Sequence, residues 1–270
     1  MINTPKEITE NYINVGKGKC ALTTSKMIVL AILAGMFIGL AGLAATTAAV
    51  SVPLASVGKF LGACIFPAGL IMVVIAGSEL FTGNCLLVIP LAEKEVTLPR
   101  VLRNWGLVYL GNFIGGMIVA AGAVYSHQLS LFDGGMAGSV IATAVGKCSM
   151  TFGDALIKGI FCNFLVCIGV WLGMAAKDAA GKILGCFWPV MLFVLCGFEH
   201  SIANMYYIGA GLLAKTVPAY ADIAIAAGTD LTNLTWGNFI VANLLPVTIG
   251  NIIGGAAVGL AYWLVYKRQK

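Results

Sequence analysis

Few residues in this chain have chemistry to offer, and most of those stand among apolar neighbours. Glu79 and Glu199 each lie two residues after a glycine, in Gly77-Ser78-Glu79 and Gly197-Phe198-Glu199, and His200 follows the second acid directly. Amides accompany them: Asn84 and Asn204 five residues after the acids, and Asn163 in a separate apolar run. A neutral histidine donates a hydrogen bond and a protonated one adds charge, so His200 suits holding a small anion or handing it a proton. Carboxylates repel anions. Glu79 and Glu199 instead suit accepting hydrogen bonds from backbone N–H groups freed where a helix comes apart. The asparagines serve equally as pore lining or as polar glue between helices. An enzyme would need nucleophile, base and orienting group together. His200 and Ser201 are adjacent and so point apart on a helix, and no Cys-x-x-Cys pair or metal-ligand cluster joins them. No cofactor is expected.

The elements that must hold these groups are membrane spans. Of 270 residues, 60% are hydrophobic and 10% charged, with a mean hydropathy of +0.96. A soluble domain has roughly a quarter of its residues charged. This composition excludes a soluble enzyme, a nucleic-acid binder and a disordered chain. Six apolar blocks cover about 27–49, 60–91, 104–125, 154–176, 183–213 and 236–266. One crossing of a bilayer needs about 20 residues, and the second and fifth blocks hold 32 and 31. Each of these carries its acid near the middle, so both are predicted to be broken there. Irregular backbone survives at membrane depth only where protein or a water-filled cavity satisfies it. His200 is the one histidine inside a block, since His127 falls in the third loop. Ionisable groups inside spans mark pathways as a rule.

Loop charges set the orientation. With six crossings, twelve Lys and Arg fall on the side of the termini, against Lys59, Lys147 and Lys215 opposite, with Lys158 inside the fourth block. By the positive-inside rule both termini are cytoplasmic. The polar residues 1–26 then form a cytoplasmic N-terminal segment, 27–266 a single transmembrane channel domain, and 267–270 a cytoplasmic tail. The net charge of +5 carries topology and needs no nucleic acid to explain it. Six of the eight cysteines lie in or beside the apolar blocks and read as free, buried thiols.

The two long blocks also resemble each other. Gly77-Ser78-Glu79-Leu80-Phe81-Thr82-Gly83-Asn84 aligns with Gly197-Phe198-Glu199-His200-Ser201-Ile202-Ala203-Asn204. Gly111-Asn112-Phe113-Ile114-Gly115-Gly116 aligns with Gly250-Asn251-Ile252-Ile253-Gly254-Gly255, and Asn104 and Asn243 each stand eight residues before Asn112 and Asn251. Repeats of three spans (27–125 and 154–266) insert with opposite orientation. The predicted fold is all-α and integral to the membrane, with six helices in two inverted repeats and the second and fifth helices broken. Such repeats place a solute path at the midplane, with half-helix ends pointing inward. The positive N-terminal end of a half-helix attracts anions. A neutral-solute channel of the water or glycerol kind shares this plan, but its paired Asn-Pro-Ala motifs are absent here.

The runs Glu79-Leu80-Phe81-Thr82-Gly83-Asn84 and Gly197-Phe198-Glu199-His200-Ser201-Ile202-Ala203-Asn204-Met205, with Gly146-Lys147 and Cys162-Asn163-Phe164-Leu165-Val166-Cys167, resemble the formate/nitrite transporter family over residues 5–266. The chain looks most like the hydrosulfide-channel branch. The resemblance implies an aquaporin-like fold in a homopentamer, in the cell membrane, with one pore per protomer for formate, nitrite or hydrosulfide. It implies a pore centre at Thr82, His200 and Asn204, supported by Glu79, Glu199, Asn163 and Asn84. Phe66 and Phe193 would form one hydrophobic constriction and Leu70 and Leu80 the other. Lys147 and Lys19 would attract anions at the two vestibules. Channel and proton-coupled transporter both remain open at this point.

Overall fold

In the computed structural model, which describes residues 2–267, the chain is built from helices. Of the predicted tail, only Lys267 falls among the described residues; Arg268, Gln269 and Lys270 lie outside them. Helix α1 (Pro5–Ala21) opens with a capping box in which Thr4 and Glu7 satisfy each other's backbone and side chain. It leads into α2 (Thr24–Ala49), whose cap is Thr23. Helix α3 (Ala55–Gly77) widens into a π turn over Val73–Gly77 and stops at Gly77, which has φ of +80°. After three intervening residues α4 (Phe81–Ala92) begins. Then come α5 (Leu98–Tyr125), α6 (Gly135–Cys148), α7 (Phe152–Ala175) and α8 (Ala179–Leu195). A second break, with Gly197 at φ +71°, precedes α9 (Ser201–Ala214). Helix α10 (Pro218–Ala226) turns away from α9 by 102°, and α11 (Trp236–Tyr266) closes the fold.

Among the described residues, five helices, α2, α3, α5, α7 and α11, are long and apolar enough to cross a membrane. The apolar α8, with 17 residues, is shorter, and with α9 across the break it is the second repeat's counterpart of α3–α4. Both breaks fall at the acids, as the block lengths predict. The physical reason is local: glycine takes the left-handed turn that ends α3 and α8 without the steric cost a Cβ would bring. After it Ser78 and Leu80 take extended backbone, as does His200 at the matching place.

Burial is inverted relative to a water-soluble protein. Ile118, Phe161, Leu184 and Trp188 are exposed, whereas Asn104, Asn112, Asn163, Asn204, Asn243 and Asn251 are almost fully enclosed. That is the pattern of a chain solvated by lipid, where polar groups must find partners inside. Close helix packing makes it possible. A Cβ on Gly115 would run into the Ile32 carbonyl, and one on Gly254 into the Ile160 carbonyl. The backbones of α2 and α5, and of α7 and α11, therefore approach as only small residues allow.

Two expectations need amendment. Residues 1–26 do not stand apart from the channel domain: α1 buries Ile8, Tyr12 and Cys20, and the Tyr12 hydroxyl donates to the Gly83 carbonyl at 3.2 Å. The stretch 126–153, read as a loop, contains α6. Helix α1 is polar, and α6, though as apolar as α5, has only 14 residues, so neither reads as a span.

Candidate functional site

Each break is held by the same set of side chains. Phe81 N–H, the first donor of α4, gives its hydrogen bond to Asn112 Oδ1 at 2.9 Å; Ser201 N–H at the start of α9 gives its own to Asn251 Oδ1, also at 2.9 Å. The amide nitrogen of Asn112 donates to the carbonyls of Ala31 (2.7 Å) and Glu79 (2.9 Å). Asn251 donates to those of Gly159 (2.8 Å) and Glu199 (3.0 Å). Buried backbone groups need partners, and here two asparagines on the neighbouring long helices supply them.

The acids do something else. The Glu79 carboxylate accepts from Lys19 Nζ at 2.7 Å and from Asn84 Nδ2 at 2.7 Å. Glu199 accepts from Lys147 Nζ at 2.9 Å and from Asn204 Nδ2 at 2.6 Å. The second hydrogen of each amide goes to Asn104 or Asn243. Those two asparagines in turn donate to the carbonyls of Lys19 and Lys147. The expectation that the acids cap backbone N–H groups is therefore corrected: asparagine caps, and glutamate neutralises a lysine. Nor do Lys19 and Lys147 stand free at their cavities, each being bonded to a buried carboxylate. Because Lys19 lies on α1 and Lys147 on α6, the repeat equivalence reaches beyond 27–125 and 154–266 to include these two helices.

The repeats differ where they meet. At the position of Leu80 the second repeat has His200, and at the position of Ile202 the first has Thr82. Thr82 Oγ1 and His200 Nε2 lie 2.9 Å apart, and both residues are buried. The other ring nitrogen, Nδ1, accepts the Ala203 N–H at 3.0 Å. A backbone N–H can only donate, so the neutral ring carries its proton on Nε2. Nε2–H then donates to Thr82 Oγ1, and the threonine's own hydrogen is left to serve another acceptor. Asn163 steadies the pair from behind, donating to the Thr82 carbonyl at 3.1 Å and to the Asn251 carbonyl at 2.6 Å.

A cavity opens on either side. One, of about 550 Å³, is lined by Lys147, Glu199, His200, Asn204, Phe66 and Phe193 among others. The second, of about 470 Å³, is lined by Lys19, Glu79, Leu70, Leu80, Asn84 and Tyr12 among others. Phe66 and Phe193 meet edge to face with centroids 5.8 Å apart, and His200 stacks on Phe193 at 5.8 Å. The cavity lined by Phe66 and Phe193 reaches His200, and the one lined by Leu70 and Leu80 lies on the Glu79 side.

The sequence matches the formate/nitrite transporter family profile over residues 6–264. This chain belongs to that family. It is 37% identical to the formate channel FocA of Escherichia coli strain K12 over 90% of this chain and 87% of the relative. It is 38% identical to the formate channel BtFdhC of Bacillus thuringiensis, over 98% and 96%. A pentameric formate channel solved with formate bound superposes with a TM-score of 0.79, at 35% identity, covering 90% of this chain and 97% of the other. An ion channel of the family superposes at 0.83 with 25% identity, covering 96% and 98%. The aquaporin-like, six-span architecture with inverted repeats is therefore that of a formate/nitrite transporter, and this family member is a membrane transport protein.

Within this formate/nitrite transporter, the predicted site residues divide into three groups. Thr82 and His200 touch each other. Asn204 and Asn84 do not join them but bind the acids, and Asn163 bonds the Thr82 backbone. Phe66 and Phe193 line the Glu199 cavity, and Leu70 and Leu80 line the Glu79 cavity. The sequence reading missed Asn112, Asn251, Asn104 and Asn243 as functional supports, although it used them to find the repeat. Their eight-residue spacing, which sets two amides on one side of a helix, was the available signal. Asn251→Leu is expected to leave the Ser201 N–H and the Glu199 carbonyl at the break without these partners, at about 1–3 kcal/mol for each unsatisfied group. Thermal unfolding in detergent should move down by several degrees; an unchanged melting point would show that the break holds without this amide.

Proposed function

We propose that this protein is a homopentameric channel of the cell membrane for small monovalent anions, with formate as principal substrate and nitrite and hydrosulfide as further permeants. Formate is put ahead of hydrosulfide because the relatives with a named substrate are formate channels, while nothing in the Thr82–His200 pair separates three small anions of equal charge. Both termini are cytoplasmic on the charge balance of the loops, so the Glu199 cavity faces outward and the Glu79 cavity inward.

The observation that carries this reading is the pair itself. An anion passing Phe66 and Phe193 on one side, or Leu70 and Leu80 on the other, loses water at considerable cost. At the centre it meets the free hydrogen of Thr82, polarised by the Nε2–H of His200 behind it. The N-terminal ends of α4 and α9 converge there, adding positive potential. The site is attractive without holding a fixed charge, which suits conduction. The same geometry argues against proton donation by His200. To give up a proton and stay neutral the ring must first be an imidazolium, and its Nδ1–H would then oppose the Ala203 N–H. We therefore favour a channel over a proton-coupled transporter.

The test is flux into proteoliposomes for formate, nitrite, hydrosulfide and chloride, with a voltage imposed and internal pH followed. Fast formate flux that carries charge, with little chloride, is the expected result. Electroneutral entry with proton uptake would establish symport, and passage of water or glycerol without anions would overturn the reading.

A further inference from the structure

The bonds around the two cavities match, but the charges do not. The Glu79 cavity presents one lysine and one glutamate, paired. The Glu199 cavity presents the equivalent pair and two further lysines, Lys59 from α3 and Lys158 from α7. Neither of these forms an ion pair among the described residues. The repeat reveals how unusual Lys158 is. Glu199 N–H donates to the Lys158 carbonyl at 3.3 Å, and the equivalent bond in the first repeat runs from Glu79 N–H to the Leu30 carbonyl at 3.2 Å. Leu30 lines its cavity as Lys158 lines the other. One position, facing one kind of cavity, holds leucine in one repeat and lysine in the other. A lysine inside a span is costly and marks function by default. Lys59 stands close by, its Nζ 3.8 Å from where a Cβ on Gly197 would be.

We infer that Lys59 and Lys158 form an anion-capture site in the Glu199 cavity, separate from the Thr82–His200 pair, which takes small monovalent carboxylates and comparable anions and favours their entry from that side. Lys147 adds little net charge to the cavity, because its ammonium group is paired with Glu199 at 2.9 Å. The two unpaired ammonium groups leave the cavity with a net positive potential, and low-dielectric walls focus it. The Glu79 cavity, balanced in charge, lacks the equivalent. The inference rests on the anion-pore reading and gives that pore a direction of preference at low concentration.

The test uses right-side-out and inverted membrane vesicles from a host without formate transporters of its own, comparing the parent with Lys158→Leu and with Lys59→Met/Lys158→Leu. Leucine is what the first repeat carries at this position, so the exchange suits the fold. At about 10 mM ionic strength, where the Debye length is about 30 Å, half-saturating formate on the Glu199 side is expected to rise about tenfold in the double variant. The rise should vanish near 1 M salt, be absent on the Glu79 side, and be largely reversed by Lys158→Arg. An unchanged half-saturation at low salt, or an equal shift on both faces, overturns the site. A second measurement does not need transport: formate should slow acylation of Lys59 and Lys158 by an amine reagent in solubilised protein at low salt. Absent protection overturns the capture site, whereas protection in a protein that passes no anion overturns only the pore reading.

Discussion

His200→Asn is expected to assemble and melt nearly as the parent does, yet pass formate about tenfold to a hundredfold more slowly. The histidine has two jobs, and this exchange separates them. Its Nδ1 accepts the Ala203 N–H and so caps α9; asparagine is among the best residues for that task. Its Nε2 donates to Thr82 Oγ1, and the shorter asparagine, whose Oδ1 takes over the cap, leaves its Nδ2 short of the hydroxyl. What is lost is the polarisation of the hydroxyl that meets the anion. A hydrogen bond to a charged group is worth about 1.5–3 kcal/mol, and about 1.4 kcal/mol corresponds to tenfold. Thr82→Val removes the hydroxyl that this bond polarises and should give a comparable or larger loss, with little added when the two are combined. His200→Ala, in contrast, should lower both the flux and the melting temperature, since the cap goes too. Parent-like flux in His200→Asn would mean that the ring serves only to start the helix.

How much of this was legible beforehand follows from how far apart the partners lie in the chain. Broken spans, acids at the breaks and the repeat are local or periodic features, and block lengths with the Gly-x-Glu pattern reveal them. The partners of those acids are not local. Lys19 is 60 residues from Glu79 and Lys147 is 52 from Glu199. Lys19 sits on α1, which is polar, and Lys147 near the end of α6, which at 14 residues is too short for a span. A lysine outside a span reads as a solvated charge, and only packing shows it buried against a carboxylate. The resemblance to the family pointed to Thr82 and His200, but not to which nitrogen faces the hydroxyl. That depends on Ala203, three residues on, and hence on the break itself. Lys158 was visible as a charge inside a span; its meaning emerged once the bond to Glu199 N–H aligned it with Leu30.

The pairing of Lys147 with Glu199 leads to the largest effect on stability. Lys147→Met is expected to destabilise the protein by about 3–5 kcal/mol, the usual result of removing one member of a buried pair. The side chains are only 17% and 8% exposed, so the orphaned carboxylate has little water to turn to. It would keep the amide of Asn204 as a donor but lose the charge that balances it. Lys147→Met/Glu199→Gln should recover most of the loss, because a neutral amide in the carboxylate's place still accepts from Asn204 and brings no charge to bury. If Lys147 instead acted as a free attractor of anions, the order would reverse: Lys147→Met would fold well and conduct poorly, and neutralising Glu199 would not rescue it. Lys147→Glu cannot separate these cases, since it sets two carboxylates against each other and loss of flux would then follow from collapse of the break. Melting temperatures of the two single variants and the double variant in detergent decide the matter. A coupling near zero would mean that the pair adds nothing to the break, and Lys147 would regain its place as a vestibule charge.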